Sequence, residues 1–281
     1  MEPKDDYARA INAHYDHAGG LEAAIDRGLR VAGHDLATLR PEDLAAVDQF
    51  HLGGPGSTRA LLARAGLPQG AAVLDVGGGL GGAARALALE AECRVTVLDL
   101  TAAFVRVGVN LTARTGLSSR VRFGQGDATR LPFGAASFDA VWAQHSAMNI
   151  PDKGALYGEC CRVLRPGGRL ALHEVLAGPA GAVRYPVPWA RTAALSDLAA
   201  PDMLRGLLGA AGLREAAWED VTAEARRSAE RLLGRLAAPE GPPPLGPHLF
   251  LGPGTVELMQ NLALNLAEGR VTVAQGVFLK E

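Results

Sequence analysis

The sequence is poor in cysteine, lysine and aromatic residues, and its charge is nearly balanced. Three cysteines in 281 residues cannot build a disulfide framework, and two of them, Cys160 and Cys161, are adjacent. A reducing compartment is expected. A net charge of -2 excludes the broad basic surface of a dedicated nucleic-acid binder. Lysine occurs only at Lys4, Lys153 and Lys280, so the cationic side chains are almost all arginine. No apolar run reaches the roughly 18 residues of a membrane span, and the start, MEPKDDYARA, has no apolar leader. These absences predict a cytoplasmic protein without a membrane or nucleic-acid partner.

Glycine is what the chain has in quantity, with 35 residues. Gly19-Gly20, Gly33 and Pro41 interrupt helical patterns over the first 56 residues, which end in Asp48-Gln49-Phe50-His51-Leu52-Gly53-Gly54. Ser57 is placed to cap a helix over 57–67, closed by Pro68-Gln69-Gly70. Short apolar strands and helices then alternate. Strands are predicted at Ala72–Val76, 94–98, 121–123, 138–142 and 169–176, with helices at 83–91, Ala102–Arg114 and 153–164. This rhythm predicts a parallel, doubly wound α/β sheet. Residues 177–200 read as a loop-like cover. A helix at 201–211, a strand at 213–221, a helix at 222–238, an irregular connection at 239–254, a helix at Thr255–Ala267 and a strand at 271–279 complete the pattern.

Between the first strand and its helix lies Gly77-Gly78-Gly79-Leu80-Gly81-Gly82, five glycines in six residues. Such a turn lets a ligand reach the backbone, at the strand end where open α/β sheets bind ligands. Gly77, Gly79 and Gly82 fit the dinucleotide pattern G-x-G-x-x-G, so an NAD-dependent oxidoreductase is one reading. Asp75 favours another. Its carboxylate, two residues before Gly77, would face a pyrophosphate as a like charge, but would attract a cationic ligand.

Asp75-Val76-Gly77-Gly78-Gly79-Leu80-Gly81-Gly82 resembles the first motif of class I S-adenosylmethionine-dependent methyltransferases. Further segments agree in order: Val95-Thr96-Val97-Leu98-Asp99, Gly126-Asp127-Ala128 with Ser137-Phe138-Asp139, and Leu164-Arg165-Pro166-Gly167-Gly168. The resemblance implies a Rossmann-like sheet of seven strands with the last antiparallel, N-terminal helices, and a helical insertion before the last strand. It implies a cap over residues 1–56 and a methyltransferase domain over 57–281, with 177–200 and 222–268 as lid and substrate insertions. The implied cofactor is S-adenosyl-L-methionine, giving S-adenosyl-L-homocysteine. Its implied site comprises Asp75, Gly77, Gly79, Asp99 and the adjoining Leu100 at the ribose, Asp127 and Ala128 at the adenine, and Gln144. Asp99 could also cap the helix at 102–114.

Asp48–Gly54 and Trp142-Ala143-Gln144-His145-Ser146-Ala147-Met148-Asn149 narrow the resemblance to the small-molecule branch that includes sarcosine/dimethylglycine N-methyltransferases. On that likeness nitrogen is the favoured acceptor, with O- or C-methylation in a natural-product pathway the alternative. A non-catalytic S-adenosylmethionine-binding protein is a further reading. His145 and His51 are the candidate bases, although His51 could equally be a structural residue beside a glycine turn. His173 and Glu174 fall on opposite faces of their strand. Tyr15, Tyr185 and Trp189 are candidates for an aromatic lining. His14 and His17, one helical turn apart, read as solvated surface, and no metal-spaced cluster is present. The expected partner is a small-molecule acceptor, with the chain a monomer or homodimer.

Overall fold

The computed structural model describes residues 20–281, so Tyr15, His14, His17 and the first part of the expected cap lie outside the described residues. The cap region contributes helices α1 (Leu21–Val31) and α2 (Pro41–Asp48), separated where Gly33 and Pro41 predicted a break. Helix α3 (Gly54–Ala65) begins three residues before Ser57, so the expected boundary at 56/57 falls inside its first turn. Ser57 is therefore no N-cap. Its Oγ donates to the Gly54 carbonyl, while Gly53 at φ +88° occupies the cap position. The helix stops at Gly66, in the left-handed region, ahead of Pro68.

Strand β1 (Ala72–Val76), helix α4 (Gly82–Glu90), β2 (Arg94–Asp99), α5 (Ala102–Arg114), β3 (Val121–Gln125), β4 (Phe138–Gln144), α6 (Lys153–Val163) and β5 (Leu164–Ala177) follow the predicted alternation. Pro166-Gly167-Gly168 does not precede β5 but forms an excursion within it. Leu164 pairs with Phe138, and pairing resumes with Arg169 opposite Ala140. Asp139 secures this corner, accepting the Ala72 N–H at 2.8 Å and pairing with Arg165.

The remaining elements are α7 (Pro201–Ala210), β6 (Leu213–Asp220), α8 (Thr222–Leu236), α9 (His248–Leu251), α10 (Thr255–Ala267) and β7 (Val271–Lys280). The stretch expected to be wholly irregular thus contains α9, where Phe250 and Leu251 bury against the cap. The seven strands order as β3-β2-β1-β4-β5-β7-β6, with β7 antiparallel to both neighbours. Strand reversal places the chain end between β5 and β6, and helices α8 and α10 pack on each other and against β7.

Alternation sorts the strand residues onto two faces. Leu74, Val141, Leu172 and Phe278 pack with Leu156 and Leu204 from α6 and α7. Val73, Trp142, Ala171 and Val277 pack with Leu61 of α3 and Leu87 of α4. At the carboxyl ends of the strands this second face turns polar. Asp75, Trp142, Gln144, His173 and Gln275 lie on it, with Asp75 opposite Trp142, Gln144 opposite His173, and His173 opposite Gln275.

Candidate active site

A cavity of about 490 Å³ opens at these strand ends. Its inner wall is the glycine turn. Gly77 and Gly79 adopt φ of +69° and +54°, conformations that glycine takes without strain. A Cβ at Gly78 would come within 2.5 Å of an Asp75 carboxylate oxygen, so glycine is also needed there for close packing. Asp75 is buried, and its Oδ2 has no hydrogen-bond partner. Burial, with a smaller contribution from the nearby Asp99 charge, pushes its carboxyl up to about 7.

Asp99 ends β2. Its Oδ2 accepts the Gly79 N–H at 2.9 Å and its Oδ1 accepts the Thr101 N–H at 2.8 Å. Thr101, not Asp99, is the N-cap residue of α5. Asp127 accepts the Thr129 N–H and hydroxyl at 2.8 Å, the local turn geometry its residue type favours. Asp75, Gly77, Gly79, Asp99, Leu100, Asp127, Ala128 and Gln144 all line the one cavity, as do His51 and His145. The structure thus brings together the residues read from the sequence as cofactor-side candidates and the two candidate bases.

The cap reaches this wall through a buried ion pair. Arg85 of α4 is fully buried. It donates to Asp48 at the end of α2 at 2.6 Å, to the Leu80 carbonyl of the glycine turn at 2.7 Å, and to Thr112 of α5 at 2.6 Å. Three residues on, His51 directs its Nε2 at the Gly54 carbonyl and at Thr58 Oγ1, each at 3.0 Å. A carbonyl only accepts, so Nε2 carries the ring proton and Nδ1 keeps its lone pair. His145 sits one residue past β4 at φ +52°, with its Nε2 buried and unpartnered. His173 joins them from β5. The three ring centroids are 4.7 to 6.1 Å apart. Burial holds the His51 imidazole down to about 4 and the other two well below the usual range. The trio is therefore neutral at physiological pH. Among the described residues no cluster has metal-binding geometry.

His173 does not line the cavity, nor does Glu174, which points to the opposite face. Glu174 accepts the Ser146 and Ala147 N–H groups at 3.2 Å and orders the loop after β4. Burial is the main cause that pushes its carboxyl up to about 7.

Beyond the histidines the cavity is apolar. Phe50, Leu52, Met148, Trp189, Met259 and Leu262 form this chamber, and among the described residues no lysine or arginine lines the cavity. Of the aromatics expected there, Trp189 is present and Tyr185 is not. Tyr185 packs behind, in the cluster around Val187 and Val271. The sequence did not reveal Thr58 or Asn149 as site-forming residues, and it left open which of His173 and Glu174 faces the site. Asn149 donates to the Trp189 and Leu195 carbonyls at 2.7 and 2.6 Å, and Lys153 reaches the Asp197 carboxylate at 3.0 Å. These side chains tie the segment 189–197 to the loop after β4.

Residues 74–172 match the family model of a methyltransferase domain. Over 172 residues the chain is 32% identical to a curated relative, methyltransferase GfsG of Streptomyces halstedii, covering 61% of this chain and 60% of that protein. It is 30% identical over 156 residues to a dimethylglycine N-methyltransferase of Parasynechococcus marenigrum, covering 56% of each. The chain therefore spans less than two thirds of these relatives' length. Sterol 24-C-methyltransferases and erythromycin 3''-O-methyltransferase are further relatives, so the domain is shared by enzymes that methylate carbon, oxygen and nitrogen. Among solved structures, the [4+2]-cyclase SpnF covers 92% of each chain at 25% identity and a TM-score of 0.68. The same fold thus serves a reaction other than methyl transfer. Among the described residues no helix is long and apolar enough to cross a membrane.

Proposed function

We propose that the protein is an S-adenosylmethionine-dependent methyltransferase whose acceptor is an uncharged, largely apolar small molecule, methylated on a hydroxyl oxygen. The observation that carries this reading is the single cavity, acidic at the glycine turn and apolar beyond two neutral histidines. Its inner end suits a cationic nucleoside: Asp75 presents a buried, unpartnered carboxylate oxygen, and Gly78 leaves room where a side chain would collide. Asp75, Asp99 and Asp127 would hold it, together with the backbone at Gly77, Gly79 and Ala128. When bound, S-adenosylmethionine supplies an electrophilic methyl group.

The chain's own part is binding, orientation and proton removal. The apolar chamber desolvates the acceptor and aligns it with the inner end. His51, with Nδ1 as its free lone pair, accepts the hydroxyl proton as the oxygen gains its methyl group. His145, next to it on the cavity wall, fixes the acceptor oxygen. The sequence favoured nitrogen, but a zwitterionic amino acid would need a cation for its carboxylate, and among the described residues no lysine or arginine lines the cavity.

Incubation with S-adenosylmethionine and a panel of apolar alcohols, phenols and amines, followed by mass spectrometry, tests this. Methylation of hydroxylated apolar acceptors is expected. Turnover confined to amino acids would return the assignment to nitrogen. NADH binding without S-adenosylhomocysteine binding in calorimetry would overturn it altogether.

A further inference from the structure

Gln144 lines the cavity, yet both ends of its amide are committed to protein partners. The Trp142 indole N–H can only donate, and it meets Gln144 Oε1 at 2.7 Å. Thr58 Oγ1 lies 3.2 Å from the same oxygen and 2.9 Å from Gln49 Oε1, so its one proton is shared between the two amides. The indole bond fixes which way the Gln144 amide faces, and its NH₂ group is turned to His173 Nδ1 at 3.4 Å. His173 Nδ1 must then be the acceptor, leaving its proton on Nε2. Thr58 also accepts from His51 Nε2, whose proton is placed by the Gly54 carbonyl, so the two rings adjoin one network.

We propose that Gln144 is a positioning residue: anchored by the Trp142 indole, it holds His173 as the Nε2–H tautomer, so that no positively charged ring stands beside His51 when His51 takes a proton. The effect on turnover rests on the methyl-transfer reading above; the ring states do not. The chemistry suits an amide better than its acidic counterpart. A carboxylate at this position would accept from Trp142 equally well, but it would have nothing to donate to His173. It would draw a proton onto that ring instead.

The groups facing the trio leave Gln144 as its near neighbour of consequence. His51 comes from the turn after α2, His145 from the end of β4 and His173 from β5, and each disfavours a proton on another. On the same sheet face, Asp75 stands on β1, beyond Trp142. Arg64 of α3 lies past Gln275, paired with Glu219 of β6. Asp48 is held by Arg85 of α4. Glu174 is on the other side of β5, bonded to Ser146 and Ala147.

Long-range ¹H–¹⁵N spectra of the full chain, labelled at histidine and saturated with S-adenosylhomocysteine, read the tautomers directly. His51 and His173 are expected as neutral Nε2–H rings at pH 7. A Nδ1–H His173 in the unsubstituted protein would overturn the proposal without any variant. In Gln144→Glu, His173 is expected to become an imidazolium near neutral pH, and the acid limb of the kcat profile to move up by about one pH unit or more. A purely structural Gln144 would lower the unfolding temperature of that variant and leave ring states and pH profile in place, which would equally overturn the proposal. Correct tautomers in a protein that methylates no acceptor would support the network and sink the proposed function instead.

Discussion

A carboxylate buried without a partner is costly unless it is neutralised or meets a cation. Asp75 is such a group, held up to about 7 by burial and by Asp99. A sulfonium and an ammonium nearby would favour its charged form. Below pH 7 binding of S-adenosylmethionine should therefore release a proton, and affinity should fall as pH drops through about 7. Calorimetry at pH 6 in buffers of different ionisation enthalpy measures that release. Asp75→Asn should abolish the release and flatten the pH dependence. The same proton release in the variant would place the titrating group elsewhere. His51 has the opposite sign: its folded-state value of about 4 lies below the ordinary 6.5, so its contribution to stability is complete above pH 6.5 and fades towards pH 4.

At the scale of elements, α2 is joined to the Rossmann-like core by one buried ion pair. Asp48 is almost fully buried and Arg85 entirely so, and Arg85 also holds the Leu80 carbonyl. Docking the cap and shaping the glycine turn are thus coupled through one guanidinium. Gly82 belongs to the same joint, since a Cβ there would lie 2.4 Å from the Asp48 carbonyl oxygen. Arg85→Met leaves Asp48 buried without its partner, a loss of about 3–5 kcal/mol where such pairs are broken. Hydrogen exchange should speed up in residues 41–48 and in the glycine turn, with the central strands still protected. Unchanged protection in α2 would show that apolar packing alone seats the cap.

For the whole molecule, the cavity is a product of assembly. The sheet ends supply the inner wall, the cap supplies Phe50 to Leu52, the lid supplies Trp189, and α10 supplies Met259 and Leu262. Leu262 lines the apolar chamber, away from the glycine turn. Leu262→Trp should fill that space and raise the acceptor KM by about tenfold, equivalent to about 1.4 kcal/mol. S-adenosylhomocysteine affinity should stay as it is. A parallel loss of both affinities would mean that the two ends of the cavity are not separable.

The sequence by itself determined the alternating core and the cofactor-side residues. Strand β1 and helices α5 and α10 lie where the pattern placed them, because periodicity and glycine punctuation act over a few residues. Asp75, Asp99 and Asp127 were legible for a related reason: each lies in or just past the carboxyl end of a strand, at a position set by local backbone geometry. Ser57 and the 239–254 stretch were misread where tertiary packing overrode local preference, through an earlier start for α3 and burial of Phe250 in α9. Only the tertiary structure decided that His51, His145 and His173 form one neutral cluster, that Gln144 faces inward to organise it, and that the chamber beyond is apolar. Those facts depend on contacts between residues far apart in the chain, brought together by sheet order and by the docking of cap and insertion, and no local pattern encodes them.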